Sequence, residues 1–164
     1  MRVDSEITYE AGPDVVAAML ADPGFVELKC DRMGALERSA EISGDAAGPF
    51  TATSSRTMPT DDFPDFARKM VGEKVKIKQV DTWEAAEADG SREGTVSVEI
   101  SGAPLKVTGR MSLRPDGAGT VQTVDAELKA SLPIIGGKLE KAAHPAIMAA
   151  IRKEHQVGQE WLAE

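Results

Sequence analysis

The chain has 164 residues, 41% of them hydrophobic and 28% charged, which suits a globular domain with a real core and excludes a disordered chain. A formal net charge of -8 with no concentrated basic face weighs against nucleic acid and against anionic membranes as partners. No basic-apolar-cleavage pattern stands at the N-terminus and no apolar run approaches about 18 residues, so a cytoplasmic protein without stable membrane insertion is expected.

The opening MRVDSEITYE alternates, placing Val3, Ser5, Ile7 and Tyr9 on one face of a strand. Gly12-Pro13-Asp14 starts a short helix, with proline fixing φ in its first turn, and Val15, Val16, Met19 and Leu20 supply its apolar side. Asp22-Pro23 interrupts, and a second short helix from Gly24 to about Cys30 follows from an aspartate cap. Cys30 is the only cysteine, so no internal disulfide forms. With no histidine near it in sequence, it reads as a structural thiol.

From Ala35 onward the pattern is that of strands. Ala35–Ser43 and Phe50–Met58 flank GDAAGP, Lys74–Trp83 and Thr95–Ser101 flank AAEADGSREG, and Leu105–Leu113 and Thr120–Leu132 flank RPDGAG. Val96, Val98 and Ile100 alternate, as do Val107, Met111 and Leu113, and then Val124, Ala126, Leu128, Ala130 and Leu132. Such alternation gives one wetted and one buried face, as in an antiparallel sheet covered on one side. Residues 59–73, PTDDFPDFARKMVGE, break the pattern. They predict one or two helical turns ending at Gly72, with Phe63, Phe66 and Met70 as apolar anchors placed to cover an opening. Asp61, Asp62 and Asp65 lack the glycine and closing glutamate of a calcium loop, and no cysteine-histidine cluster suits zinc, so neither metal nor cofactor is expected. Without internal repeats or a long linker, residues 1–164 are expected to form a single domain.

SLPIIGGKLEKAAHPAIMAAIRKEHQVGQEWL closes the chain. A helix from about Leu139 to Ala163 would be roughly 37 Å long, against ~30 Å for a nine-residue strand, so it can cross the sheet. Leu139, Ala143, Ala146, Ile147, Ala150, Val157 and Trp161 fall on one stripe, with His155, Lys141 and Arg152 opposite and His144 also assigned to the polar side. Gly136 and Gly137 are read as the turn into the helix, and Pro145 as a kink or a start. Alanine on the underside removes methyl-sized groups at every turn. It either leaves a hollow of ligand scale, ~300–1,000 Å³, or lets helix and sheet meet in dry contact.

One strand, two short helices, about six strands and a long helix resemble the helix-grip arrangement of the START-like superfamily, which also includes pollen-allergen-like proteins. YEAGPDVVAAMLADPGF carries the opening, with Val16 where many members have tryptophan. RTMPTDDFPDFARKMVGEKVKIKQVDTW, SGAPLKVTGRMSLRPDGAGT and SLPIIGGKLEK resemble a bacterial START-like family of unassigned function. The resemblance implies an α+β fold, a curved antiparallel sheet of six or seven strands wrapped around the last helix. It brings no catalytic residues.

On that fold an apolar or amphipathic small molecule, lipid or polyketide-like, is the expected partner. Val98, Ile100, Met111, Val124, Leu128, Ile147 and Ala150 would wall it, and Phe63, Phe66 and Met70 would cover the mouth. Arg56 shares strand parity with Phe50, Ala52 and Met58, so it can point inward and bind a carboxylate or pair with an acid of the chain, Glu154 being one candidate. The alternatives are an enzyme of the cyclase or dehydratase kind, for which Arg56 with Glu154 is the nominated pair, and an interaction module with no cavity.

Overall fold

In the computed structural model, which describes residues 1–164, β1 (Arg2–Tyr9) leads into two helices, α1 (Pro13–Leu20) and α2 (Pro23–Arg32). Then come β2 (Glu37–Gly44), β3 (Phe50–Pro59), α3 (Asp65–Val71), β4 (Lys74–Trp83), β5 (Arg92–Ile100), β6 (Leu105–Asp116), β7 (Gly119–Ala130) and α4 (Gly136–Leu162). The strands form one antiparallel sheet in the order β1-β7-β6-β5-β4-β3-β2. The α1–α2 pair therefore carries the chain from one edge of the sheet to the other. This is the expected α+β helix-grip architecture. The Asp22 side chain accepts from Gly24 N at 2.8 Å and caps α2 as its position predicts.

Period-two alternation sets the inner face. One cross-strand row runs Ala52, Asp81, Val96, Gly109, Ala126, Val3, and the next Ser54, Gln79, Val98, Val107, Leu128. Most of these side chains are apolar and join the core that α1, α2 and α4 cover. The polar positions all lie toward β3 and β4.

Arg92 explains why β5 starts three residues earlier than the pattern predicts. Its guanidinium turns inward and donates to Gly48 O at 3.0 Å, Glu84 O at 3.2 Å and Ala46 O, tying the β2–β3 and β4–β5 connections together. Arg92→Met is expected to cost about 2 kcal/mol, because the carbonyls lose a charged donor that no neighbour replaces. A lowered urea midpoint with an unchanged slope checks this.

Helix α4 begins at Gly136, earlier than expected, and continues through Pro145, which is not a helix start. Pro145 and Lys141 are both exposed, so the carbonyl deprived of its donor lies on the solvent side. Gly136 and Gly137 make no left-handed turn. Gly136 serves close approach instead, since a Cβ there would sit 3.2 Å from Ala130 O. At the far end, a Cβ on Gly158 would fall 2.7 Å from the Tyr9 ring. His144 and His155, expected on the polar face, are half-buried, and their Nε2–H groups donate to Arg2 O and Thr8 O, both at 3.0 Å. They satisfy carbonyls of the edge strand β1 and hold α4 along it. No helix is long and apolar enough to cross a membrane.

Candidate functional site

The small-residue stripe does leave space, though not where every alanine falls. Leu139 and Val157 are buried at the two ends of the underside, while Ala143, Ile147 and Ala150 between them are only half-buried. Ala146 is exposed, and Ile151 takes the inward position in its stead. Helix α4 makes its closest approaches to β1, β7, α1 and α2. Between its middle and the inner face of the sheet, from β3 across to β1, lies a hollow of about 80 Å³. That is well below the ~300–1,000 Å³ of a usual ligand pocket. It has room for roughly half a dozen water-sized groups.

Seven residues singled out from the sequence line this hollow: Arg56, Val98, Met111, Val124, Ile147, Ala150 and Glu154. Five do not. Leu128 is on the same face but wholly enclosed by dry packing, and Ile100 is half-buried at the end of β5. Phe63, Phe66 and Met70 pack against the core away from the hollow, with the Phe66 ring 4.3 Å from Lys138 Nζ at the start of α4. Thr60 closes the segment at its base, N–H to Glu73 O at 3.0 Å and hydroxyl to Gly72 O at 2.6 Å. Half of the lining is half-buried: Gln79, Val98 and Val124 on the strands, Ile147, Ala150, Ile151 and Glu154 on α4, and Met33 just past the end of α2.

Polar groups gather on one wall. Arg56 is 6% exposed and forms no ion pair; its Nη1 donates to Gln79 Oε1 at 3.3 Å. Gln79 Nε2 donates onward to Asp81 Oδ1 at 3.1 Å and Oδ2 at 3.2 Å. Glu154, nominated as a partner of Arg56, is instead taken by Lys29, whose Nζ lies 2.9 Å from Glu154 Oε1. Lys29 is 4% exposed on α2, between that carboxylate and the Phe25 ring. On the opposite wall, Gln122 Oε1 is buried without a hydrogen-bond partner.

Burial pushes the Asp81 carboxyl from its ordinary 3.8 up to about 6; Lys29 pulls it back, and Glu154 pushes it further up. Burial also works against the Lys29 ammonium, but Glu154 and Asp81 outweigh it and hold that group above the usual lysine value. The wall thus offers a guanidinium without a direct ion pair, able to take an oxyanion in a planar fork, and beside it a carboxyl that feels its charge and is poised near neutrality to exchange a proton. No cluster of three or more His, Cys, Asp or Glu side chains is placed to hold a metal ion.

Lys29, Gln79, Asp81 and Gln122 escaped the sequence reading, although the first three left a trace. Lys29 stands four residues after Phe25 on an apolar helical face, and Gln79 and Asp81 interrupt the alternation of Val75, Ile77 and Trp83.

A family model described as a protein of unknown function (DUF2505) matches residues 4–162. Comparison with curated proteins finds no match. Similar solved structures include a STAR-related lipid transfer protein from Xanthomonas axonopodis, 15% identical, covering 99% of this chain and 86% of that one at a TM-score of 0.63. Norcoclaurine synthase from Thalictrum flavum is 15% identical over 100% and 87% of the two chains, with a TM-score of 0.58. The Zhui aromatase/cyclase from Streptomyces sp. R1128 is 15% identical over 99% and 95%, with a TM-score of 0.53. At these identities the likeness establishes a START-like fold.

Proposed function

We propose that this chain, which belongs to the family described as a protein of unknown function (DUF2505), is a binder of an apolar or amphipathic small molecule, of lipid or polyketide-like kind, and not a catalyst. The observation that carries this reading is a hollow with apolar walls into which a buried, unpaired guanidinium is built. An apolar body with one polar end fits those walls, the body against Val98, Met111, Val124, Ile147 and Ala150 and the polar end toward Arg56. Among the structural neighbours, one is a lipid transfer protein and another an aromatase/cyclase, which fits a hollow for such bodies. A whole ligand needs more than 80 Å³, so side chains of the lining must yield. Met33 is suited to this, being unbranched and half-buried.

A second reading, an enzyme of the cyclase or dehydratase kind, is favoured by one group only. Asp81 lies at the wall of the hollow with its pKa near 6, where a general acid or base operates. The pair first nominated for such a role, Arg56 with Glu154, is weakened because Lys29 occupies Glu154.

Native mass spectrometry after mild purification, with a hydrophobic-dye displacement assay, tests the binding reading. A co-purified small molecule and dye uptake at micromolar protein are expected. Ala150→Trp should fill the hollow and reduce dye uptake at least tenfold, with the fold retained by circular dichroism. No bound species and no dye uptake by the unaltered chain would overturn it.

A further inference from the structure

Arg56 poses a question that an apolar-ligand site leaves open, namely what balances its charge. A guanidinium shielded from water requires either an internal acid or an anion from outside. Glu154 is engaged with Lys29, and Asp81, although the Arg56 charge acts on it, makes no ion pair with Arg56, is hydrogen-bonded to the Gln79 amide, and balances the guanidinium only when ionised. Gln79 offers Arg56 only a neutral oxygen at 3.3 Å, a long contact for a charged donor.

We propose, resting on the binding role above, that the ligand is a monocarboxylate with an apolar tail, its carboxylate seated in the hollow on the Arg56 guanidinium. Three features narrow the class. The planar fork of arginine matches the two oxygens of a carboxylate. The 80 Å³ admits a head group and a short length of chain, with the rest of the tail left to run along apolar, half-buried lining such as Met33 and Ile151. Lastly, the charge of the wall selects a single negative charge. Arg56 on the wall and Lys29, paired to Glu154 but not itself in the lining, supply two cations, against Glu154 and, when ionised, Asp81. With Asp81 ionised the wall is neutral and an incoming anion meets no net attraction. With Asp81 protonated the wall carries one positive charge, which one carboxylate cancels. A dianion would overshoot and face Glu154 besides.

Binding is therefore linked to proton uptake at Asp81. The groups facing it are Lys29 on α2, Glu154 on α4, Arg56 on β3 and Gln79 on its own strand, with the buried thiol of Cys30 next to Lys29. An anion on Arg56 adds negative charge near Asp81 and removes the compensating effect of Arg56, and both changes favour the protonated carboxyl. Since burial raises the Asp81 carboxyl to about 6, affinity should fall as pH rises through that value.

Hexanoate and its neutral counterpart 1-hexanol are the probes, titrated into the full chain and followed by two-dimensional amide NMR. Hexanoate should bind at least tenfold more tightly than 1-hexanol at pH 5.5, and its affinity should drop about tenfold between pH 5.5 and 7.5. Arg56→Gln should erase the preference for hexanoate while leaving hexanol binding in place, which also shows that the variant is folded. Asp81→Asn should flatten the pH profile. Equal affinity for the two probes, a flat profile in the unaltered chain, or tighter binding of hexyl phosphate would overturn the monocarboxylate assignment. If hydrophobic dye and hexanol still bind in those cases, the broader binding role survives. If neither they nor hexanoate bind, both readings fall.

Discussion

Replacing Lys29 by methionine is expected to remove about 3–5 kcal/mol of stability at pH 7.5, the largest loss anticipated for any single substitution in this chain. Lys29 sits 4% exposed with its Nζ 2.9 Å from Glu154, so deleting it strands that carboxylate, and beside it Asp81, in a medium that charge tolerates poorly. A domain typically holds only about 5–15 kcal/mol in total, so the variant should stand close to unfolding. The cost must depend on pH, and the sign is fixed. Without the cation Asp81 loses the charge that pulls its already raised carboxyl back down, and a raised acid contributes stability that is present at low pH and lost as pH climbs through its folded value. The deficit should therefore be small near pH 4.5 and complete above pH 7. The rescue is equally specific. Adding Glu154→Leu to Lys29→Met replaces the ion pair by apolar contacts and should bring stability back to within about 1 kcal/mol of the starting protein. Urea unfolding at both pH values decides the matter. A loss below about 1 kcal/mol for Lys29→Met would mean that solvent reaches this pair freely.

That pair also shows how far the sequence can be read. The sheet was legible because period-two alternation is a property of each strand by itself, and β6 declares it through Val107, Met111 and Leu113 without reference to any neighbour. The helices were legible for the same local reasons, Pro13 and Asp22 fixing their starts. Where readings failed, the deciding contact was between distant segments. Gly136 reads as a turn into the helix, but Ala130 O stands against it, and His144 and His155 read as polar-face residues, but β1 carbonyls lie within their reach. The hollow itself was half legible. Alanine at 143 and 150 announced a thin roof, yet its remaining volume depends on how Met33, Ile147 and Ile151 lean into it, which no spacing encodes. Arg56 was found through strand parity. Its freedom from a counter-ion was not, because Glu154 was captured by a lysine 125 residues away in the chain.

Asp81→Asn should act in the opposite direction to Lys29→Met and stabilise the protein at neutral pH. In the folded chain, burial raises the Asp81 carboxyl from 3.8 to about 6, so the native state holds its proton more tightly than the unfolded state does. Stability conferred by that proton is full below pH 3.8 and declines as pH rises through 6. Over about two pH units the decline amounts to roughly 2–3 kcal/mol. Asparagine keeps the shape, can still accept from Gln79 Nε2, and never ionises, so its curve should lack this decline. The variant and the starting protein should unfold alike at pH 4 and differ by about 2–3 kcal/mol at pH 7.5, the variant being the more stable. Thermal unfolding across that range measures it. A variant less stable than the starting protein at pH 7.5 would make the Asp81 charge a net structural counter-ion for Lys29 and Arg56. Its proton could not then be the one gained on ligand entry. The expected outcome instead places a stability cost on a single carboxyl at the wall of the hollow. Protonation relieves that cost, and the same protonation gives the wall the one positive charge that a carboxylate ligand requires.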